Sequence, residues 1–198
     1  MHFYSLWIAL GCIVIFLLHQ IDGFTEMLVL NREAFPQVWR FVSAIFLHGS
    51  LGHLTLNLFG IIFFGLVFEK LTSGRKFLLT FFLSGIIANL AAVFFYPSSL
   101  GASGAVFGII GALTIIKPMM PVWAFGLILP LFLAAIAWVT GDILMAIYAS
   151  DGVGHIAHIS GIAVGFFLGF MARDKDNNDR NKIKIPESKI RMWEERNM

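Results

Sequence analysis

Six apolar stretches alternate with polar breaks along this chain. They cover roughly Phe3 to Leu18, Gly52 to Phe68, Lys76 to Tyr96, Ala102 to Ile116, Val122 to Val139 and His155 to Ala172. A helix crossing a bilayer needs about 20 apolar residues, so the pattern predicts a polytopic helical bundle of six spans. The breaks differ in kind. His19 to Leu47 mixes Asp22, Glu26, Arg32, Glu33 and Arg40 with Phe24, Trp39 and Phe41. That segment is too polar to span and too aromatic for a plain linker, and it reads as a structured interfacial loop. Leu71 to Arg75 is a short loop, Pro97 to Ser99 a break, and Lys117 to Pro121 a turn. Thr140 to Gly154 carries two aspartates and a glycine-rich end and reads as a loop. No internal repeat is evident.

Composition supports the membrane reading. Of 198 residues, 58% are hydrophobic and 13% charged, against about 25% charged in a soluble domain. The mean hydropathy is +0.83. A formal net charge of +2 does not suggest nucleic acid as a partner. Cys12 is the single cysteine, which excludes an intrachain disulfide and a cysteine-based metal site. The first run has no Lys or Arg before it and no small-residue cleavage site after it, so it is expected to be a retained span.

Residues 1–172 are thus expected to form the membrane domain. Residues 173–198, with eight basic and six acidic side chains and no apolar period, are expected to form a flexible, charged tail. Six spans put both termini on one side. The loops on that side carry Lys70, Arg75, Lys76 and Lys117, with Arg173 and Lys175 beside the last run, against Arg32 and Arg40 opposite. The positive-inside rule makes that side cytoplasmic. A bacterial plasma (inner) membrane is the expected location.

Parity then gathers the polar residues inside the spans. The second, fourth and sixth runs all enter from the outer face, so His53 and Asn57, then Ser103, then His155 and His158 share one depth. Strongly polar groups inside spans are costly and are usually functional. Ser103 stands between glycines at the start of a helix, where free backbone N–H groups and the helix dipole favour an oxyanion. Serine needs a base to act as a nucleophile at neutral pH, and histidine is the usual one. Gly161, Gly165 and Gly169 below His158 form a ridge matching Gly104 and Gly108 below Ser103. If the ridges meet, His158 comes beside Ser103. His53 and Asn57, four apart on one helix face, offer further donors for the oxyanion. Asp142 and Asp151 are expected in a loop and Glu69 at the opposite face, which leaves a Ser–His dyad.

Each motif has a blander explanation. Ser and Gly are ordinary packing residues between membrane helices, and Asn57 or any one histidine can be interhelical glue. His53, His155 and His158 could also ligate a metal. Their coincidence at one depth favours chemistry.

These residues resemble the rhomboid family of intramembrane serine proteases. The resemblance runs from Trp39 to about Gly169 and rests on His48, His53 and Asn57 in H-x4-H-x3-N spacing. It rests also on Gly101-Ala102-Ser103-Gly104, on Ala157-His158 with Gly161 and Gly165, on Trp39-Arg40 and on Glu69. It implies Ser103 as nucleophile, His158 as base, and His53 and Asn57 in the oxyanion hole, with Trp39, Arg40 and Glu69 structural. It implies that His48 anchors a loop, that Thr140 to Gly154 caps the site, and that the fifth run borders the substrate's entry. Phe107 stands where some members carry Tyr. It keeps a ring to stack on His158 but lacks the hydroxyl. No cofactor and no metal is called for. The implied partners are membrane lipid and single-span transmembrane substrates, cut near their outer boundary. A catalytically inactive rhomboid-like binder is the alternative. A small transporter would need charge near mid-bilayer and often an inverted repeat, which the sequence lacks.

Overall fold

The computed structural model describes residues 3–19, 21–34, 37–148, 151–180 and 187–197. It is an α-helical bundle built from α1 (Tyr4–Leu18), α4 (Leu51–Leu71), α5 (Gly74–Phe95), α6 (Ser103–Ile116), α7 (Leu131–Tyr148) and α8 (His155–Arg180). Short helices α2 (Phe24–Leu28) and α3 (Arg40–Ser43) lie in the first loop, and α9 (Glu187–Asn197) lies in the charged tail. Among the described residues, four helices are long and apolar enough to cross a membrane: α4, α5, α7 and the His155–Arg173 part of α8. The other two, α1 and α6, are shorter apolar helices.

The length of α6 has a consequence for the site. Its 14 residues rise only about 21 Å, against a hydrocarbon core of about 30 Å. Its positions from Gly104 to Leu113 are almost all buried, because α4, α5 and α8 surround it. A helix so enclosed has no lipid to match and can begin below the membrane surface.

The packing of α6 on α8 is set by glycine. A Cβ on Gly161 would overlap the carbonyl oxygen of Gly104, and one on Gly165 would overlap that of Gly108. The two backbones are therefore in contact, turn upon turn, as the small-residue ridges predict. On the next side, Gly60 of α4 admits the side chain of Val106 from α6.

Loop anchoring comes from a few hydrogen bonds. Strand β1 (Leu30–Asn31) pairs antiparallel with β2 (Ser98–Ser99), tying the first loop to the segment just before Ser103. Arg40 Nη1 donates to the carbonyls of Glu26 (2.7 Å) and Val29 (2.8 Å), and its Nε donates to Gln37 Oε1 (2.6 Å). Glu69 is buried, and its carboxylate accepts the backbone N–H groups of Ser5 (2.7 Å) and Tyr4 (3.0 Å). Those are unpaired donors of the first turn of α1, where negative charge is also favoured by the dipole. Asn89, buried on α5, donates to the Phe41 carbonyl at 2.9 Å.

Two sequence expectations are corrected. The fifth apolar run is not one helix: a hairpin of β3 (Pro121–Ala124) and β4 (Leu127–Pro130) precedes α7. Phe125 (φ 55°) and Gly126 (φ 78°) form its two-residue turn, with both φ values positive as a tight hairpin of this hand requires. The run is apolar throughout, so it carried no period to distinguish strand from helix. Further on, Thr140 to Tyr148 is not loop but the second half of α7. A polar Thr and an Asp suggested a loop, yet the Asp is buried and paired. Only 151–154 of the expected loop is described as non-helical, and residues 149–150 lie outside the described residues. Of the expected tail, α8 continues to Arg180 and α9 is helical, while 181–186 lie outside the described residues.

Candidate active site

Ser103 opens α6. The first hydrogen bond into the helix is from Val106 N–H to the Ala102 carbonyl (2.9 Å), so the N–H groups of Ser103, Gly104 and Ala105 have no partner within α6. The approach to Ser103 is fixed by Gly101, whose N–H donates to the Ala44 carbonyl at 2.8 Å. Gly101 has φ +120°, and a Cβ there would lie 2.7 Å from the His53 ring. Both backbone and space demand glycine, and His53 lies against Gly101, two residues before the serine.

The helix registers bring in the other residues. Gly60 meets Val106, and Asn57 and Ser103 each lie three residues earlier on helices running the same way. That sets Asn57 level with Ser103. Asn57 is buried, and its Nδ2 donates one hydrogen to the His53 carbonyl (3.0 Å), leaving the second amide hydrogen for other use. Gly161 meets Gly104, and His158 lies three residues before Gly161. The His158 ring stacks flat on Phe107, one turn below Ser103, with centroids 4.4 Å apart and planes within 3°. Among the described residues the Ser103 hydroxyl makes no hydrogen bond to a histidine ring, and such bonds commonly tighten only when substrate arrives.

His48 stays outside this group. Its Nδ1 faces the Phe46 carbonyl at 3.2 Å, which can only accept, and its ring meets that of His53 edge-on at 5.0 Å. It is buried. Burial first, then the neighbouring His53, pushes its pKa down to about 4, so it is neutral at pH 7.

The feature that sequence reasoning missed is Asp142. Lying on α7 and 8% exposed, it directs Oδ1 at two ring nitrogens: His155 Nδ1 at 2.6 Å and His158 Nδ1 at 3.1 Å. The expectation that no acidic side chain reaches His158 is therefore corrected. The other nitrogen of His155, Nε2, lies 3.3 Å from both oxygens of Asp151, in the loop before α8. The hydrogen bond from the Val153 backbone N–H, and to a lesser degree that from His155, hold the exposed Asp151 below its usual carboxylate pKa. The available signal was the spacing of His155 and His158, which leaves room for one shared partner, but nothing in the sequence says that α7 extends far enough to supply it. Asp142, His155 and His158 also offer ligand atoms all within 4.8 Å of one another. The 2.6 and 3.1 Å separations are those of direct hydrogen bonds.

Fold and site together define a multi-pass helical membrane protein with Ser103, His53, Asn57 and His158 gathered toward the start of a short, enclosed helix. This chain belongs to the rhomboid family: residues 36–175 match the family model described as Rhomboid domain. It is 32% identical to Rhomboid protease GluP of Bacillus subtilis (strain 168) over 83% of this chain and 34% of that protein. It is 30% identical to Rhomboid-like protein 11, chloroplastic, of Arabidopsis thaliana over 84% and 63% respectively. A shorter match, 46% identical to Rhomboid-like protease 3 of Toxoplasma gondii, covers 39% of this chain and 30% of that protein. The chain thus spans between 30% and 63% of the length of these relatives.

Proposed function

We propose that this protein is an intramembrane serine endopeptidase that cleaves single-span transmembrane proteins near their outer membrane boundary. Ser103 is the nucleophile and His158 the base. The ring takes the serine proton as Oγ attacks the scissile carbonyl, then returns it to the leaving amine. Water next attacks the acyl-enzyme ester, with His158 accepting its proton, and Ser103 is released. The oxyanion is met by the unpaired N–H groups at the start of α6, by His53 and by the free amide hydrogen of Asn57.

The observation that carries this reading is the interlock of α6 with α8, which sets His158 against the turn that begins with Ser103. Six spans with both termini cytoplasmic, in a bacterial inner membrane, fit the distribution of Lys and Arg. A shortened, enclosed α6 supports a site recessed from the outer surface, reached by water through His53, Asn57 and His155. A substrate helix must unwind locally there, so helix-weakening residues in its span favour cleavage.

The test is cleavage of a model single-span substrate by the purified full chain in detergent, with Ser103→Ala beside it. The expected result is a cut near the substrate's outer boundary that disappears in the folded variant. Binding of the substrate without cleavage by folded wild type would make the chain a catalytically inactive rhomboid-like binder.

A further inference from the structure

A base must be held in two respects: its ring plane must point at the nucleophile, and its free nitrogen must be the one that faces it. The stacking of His158 on Phe107 fixes the plane, but a ring rotated by half a turn stacks equally well. What distinguishes the two orientations is the second nitrogen. Asp142 Oδ1 lies 3.1 Å from His158 Nδ1, and a carboxylate has lone pairs but no hydrogen to give. With Asp142 as the acceptor, the proton sits on Nδ1 and Nε2 carries the lone pair.

Inside a spanning segment a carboxylate is expensive unless its charge is met by donors. Here the second donor is His155 Nδ1 at 2.6 Å, and His155 in turn has Asp151 against its far nitrogen. Asp151, His155, Asp142 and His158 thus form one chain of polar contacts from the loop before α8 into the bundle. His53, on α4, also lies within electrostatic reach of His158.

We propose that Asp142 is a positioning residue for the base, so that the reacting group is a Ser103–His158–Asp142 triad with its third member delivered by α7. The inference rests on the reading of His158 as the base. Asp142 touches no substrate atom. It holds the Nδ1–H tautomer before reaction, and it stabilises the imidazolium formed when Nε2 takes the serine proton. A purely structural alternative is that Asp142 only pins α7 to α8, and the two roles move different observables.

The experiment uses the full chain in detergent, with ring-15N histidine and a model transmembrane substrate, comparing wild type, Asp142→Asn, Asp151→Asn and Ser103→Ala. An amide can donate to Nδ1 and so permits the wrong tautomer. In Asp142→Asn, kcat is expected to fall about 10²-fold with KM and Tm nearly unchanged. Nitrogen NMR is expected to show the His158 proton on Nδ1 in wild type and partly on Nε2 in Asp142→Asn. Asp151, which touches His155 but not His158, serves as the control, and its variant is expected to stay within about twofold of wild type.

An unchanged kcat in Asp142→Asn, or a fall with the His158 tautomer unaltered, overturns the proposal while leaving the protease reading intact. Should that variant not fold, wild type alone decides, since a His158 proton on Nε2 overturns it equally. Loss of wild-type activity on chelation, restored by Zn2+, would assign the three side chains to a metal instead. A wild type that cleaves nothing overturns the protease reading and the triad's use in catalysis. The Nδ1 proton would still show whether Asp142 orients the ring.

Discussion

The two sides of α6 are built in different ways. Toward α8, packing is backbone on backbone, with glycines of one helix under carbonyls of the other. Toward α7, packing is through large rings: Trp138 meets Phe107 and Phe64 edge-on, with centroids 6.4 and 6.5 Å apart, and Phe125 of the hairpin reaches the same indole at 6.1 Å. Only 22% of the apolar window of α7 is buried, against 50% for α5. Glycine contacts leave no side-chain freedom, whereas rings at such distances can shift without breaking the backbone register. Ser103 and His158 are both carried by the rigid pair. The loosely held helix carries Asp142. Two polar contacts join it to α8 at the level of the site, so α7 is fixed there and freer elsewhere.

The sharpest way to break this contrast is Gly161→Leu. A side chain there would occupy the space of the Gly104 carbonyl, and the two helices would have to part. We expect a loss of more than about 3 kcal/mol or failure to fold, with activity gone in either case. Detergent unfolding and cleavage measured together check it, and a stable, active variant would contradict the interlock.

Next in size is Phe107→Ala. It removes the face on which His158 lies without touching the glycine contacts. We expect kcat/KM to fall about 10-fold, from the loss of a stacked pair worth about 1 kcal/mol, and Tm to fall separately through the loss of a half-buried ring packed on the core. Steady-state cleavage and a melting curve on the same preparation would separate the two effects.

A further effect comes with pH. His48 has its pKa lowered from 6.5 to about 4 by burial, so the folded protein binds fewer protons there than the unfolded chain. Its contribution to stability is full above about pH 6.5 and falls away as pH drops toward 4. Melting temperatures between pH 7.5 and 4.5 should therefore decline in wild type and decline less in His48→Gln. Parallel curves would remove His48 as a source of the dependence.

A modest loss of stability is expected on the loose side. Trp138→Ala should cost no more than about 2 kcal/mol of stability, less than a fully buried aromatic would, because the indole sits at a ring-lined boundary and not in a glycine interlock. A loss equal to that of Gly161→Leu would erase the difference between the two sides.

Much of this arrangement was written in the sequence because membrane helices announce themselves by composition. The small-residue ridges of α6 and α8 follow from spacing and the level of His53, Asn57, Ser103 and His158 from parity, whereas a structural role for Glu69 came only from the resemblance. Two features came from neither. The hairpin before α7 is apolar like the helix it adjoins, so hydrophobicity could not separate them. Asp142 looked like a loop residue because a carboxylate inside a span is intelligible only once its partners are known, and those lie 13 and 16 residues away on another helix. A polar residue within a span should accordingly be matched against donors on neighbouring spans before it is assigned to a loop.

The central claim is that Ser103 is an activated nucleophile with His158 as its base. A fluorophosphonate probe applied to the purified chain, with Ser103→Ala and His158→Ala alongside, tests it most directly. The account predicts covalent labelling of wild type at Ser103 and none in either folded variant. Labelling that persists in Ser103→Ala, or folded wild type that takes no label, would contradict it.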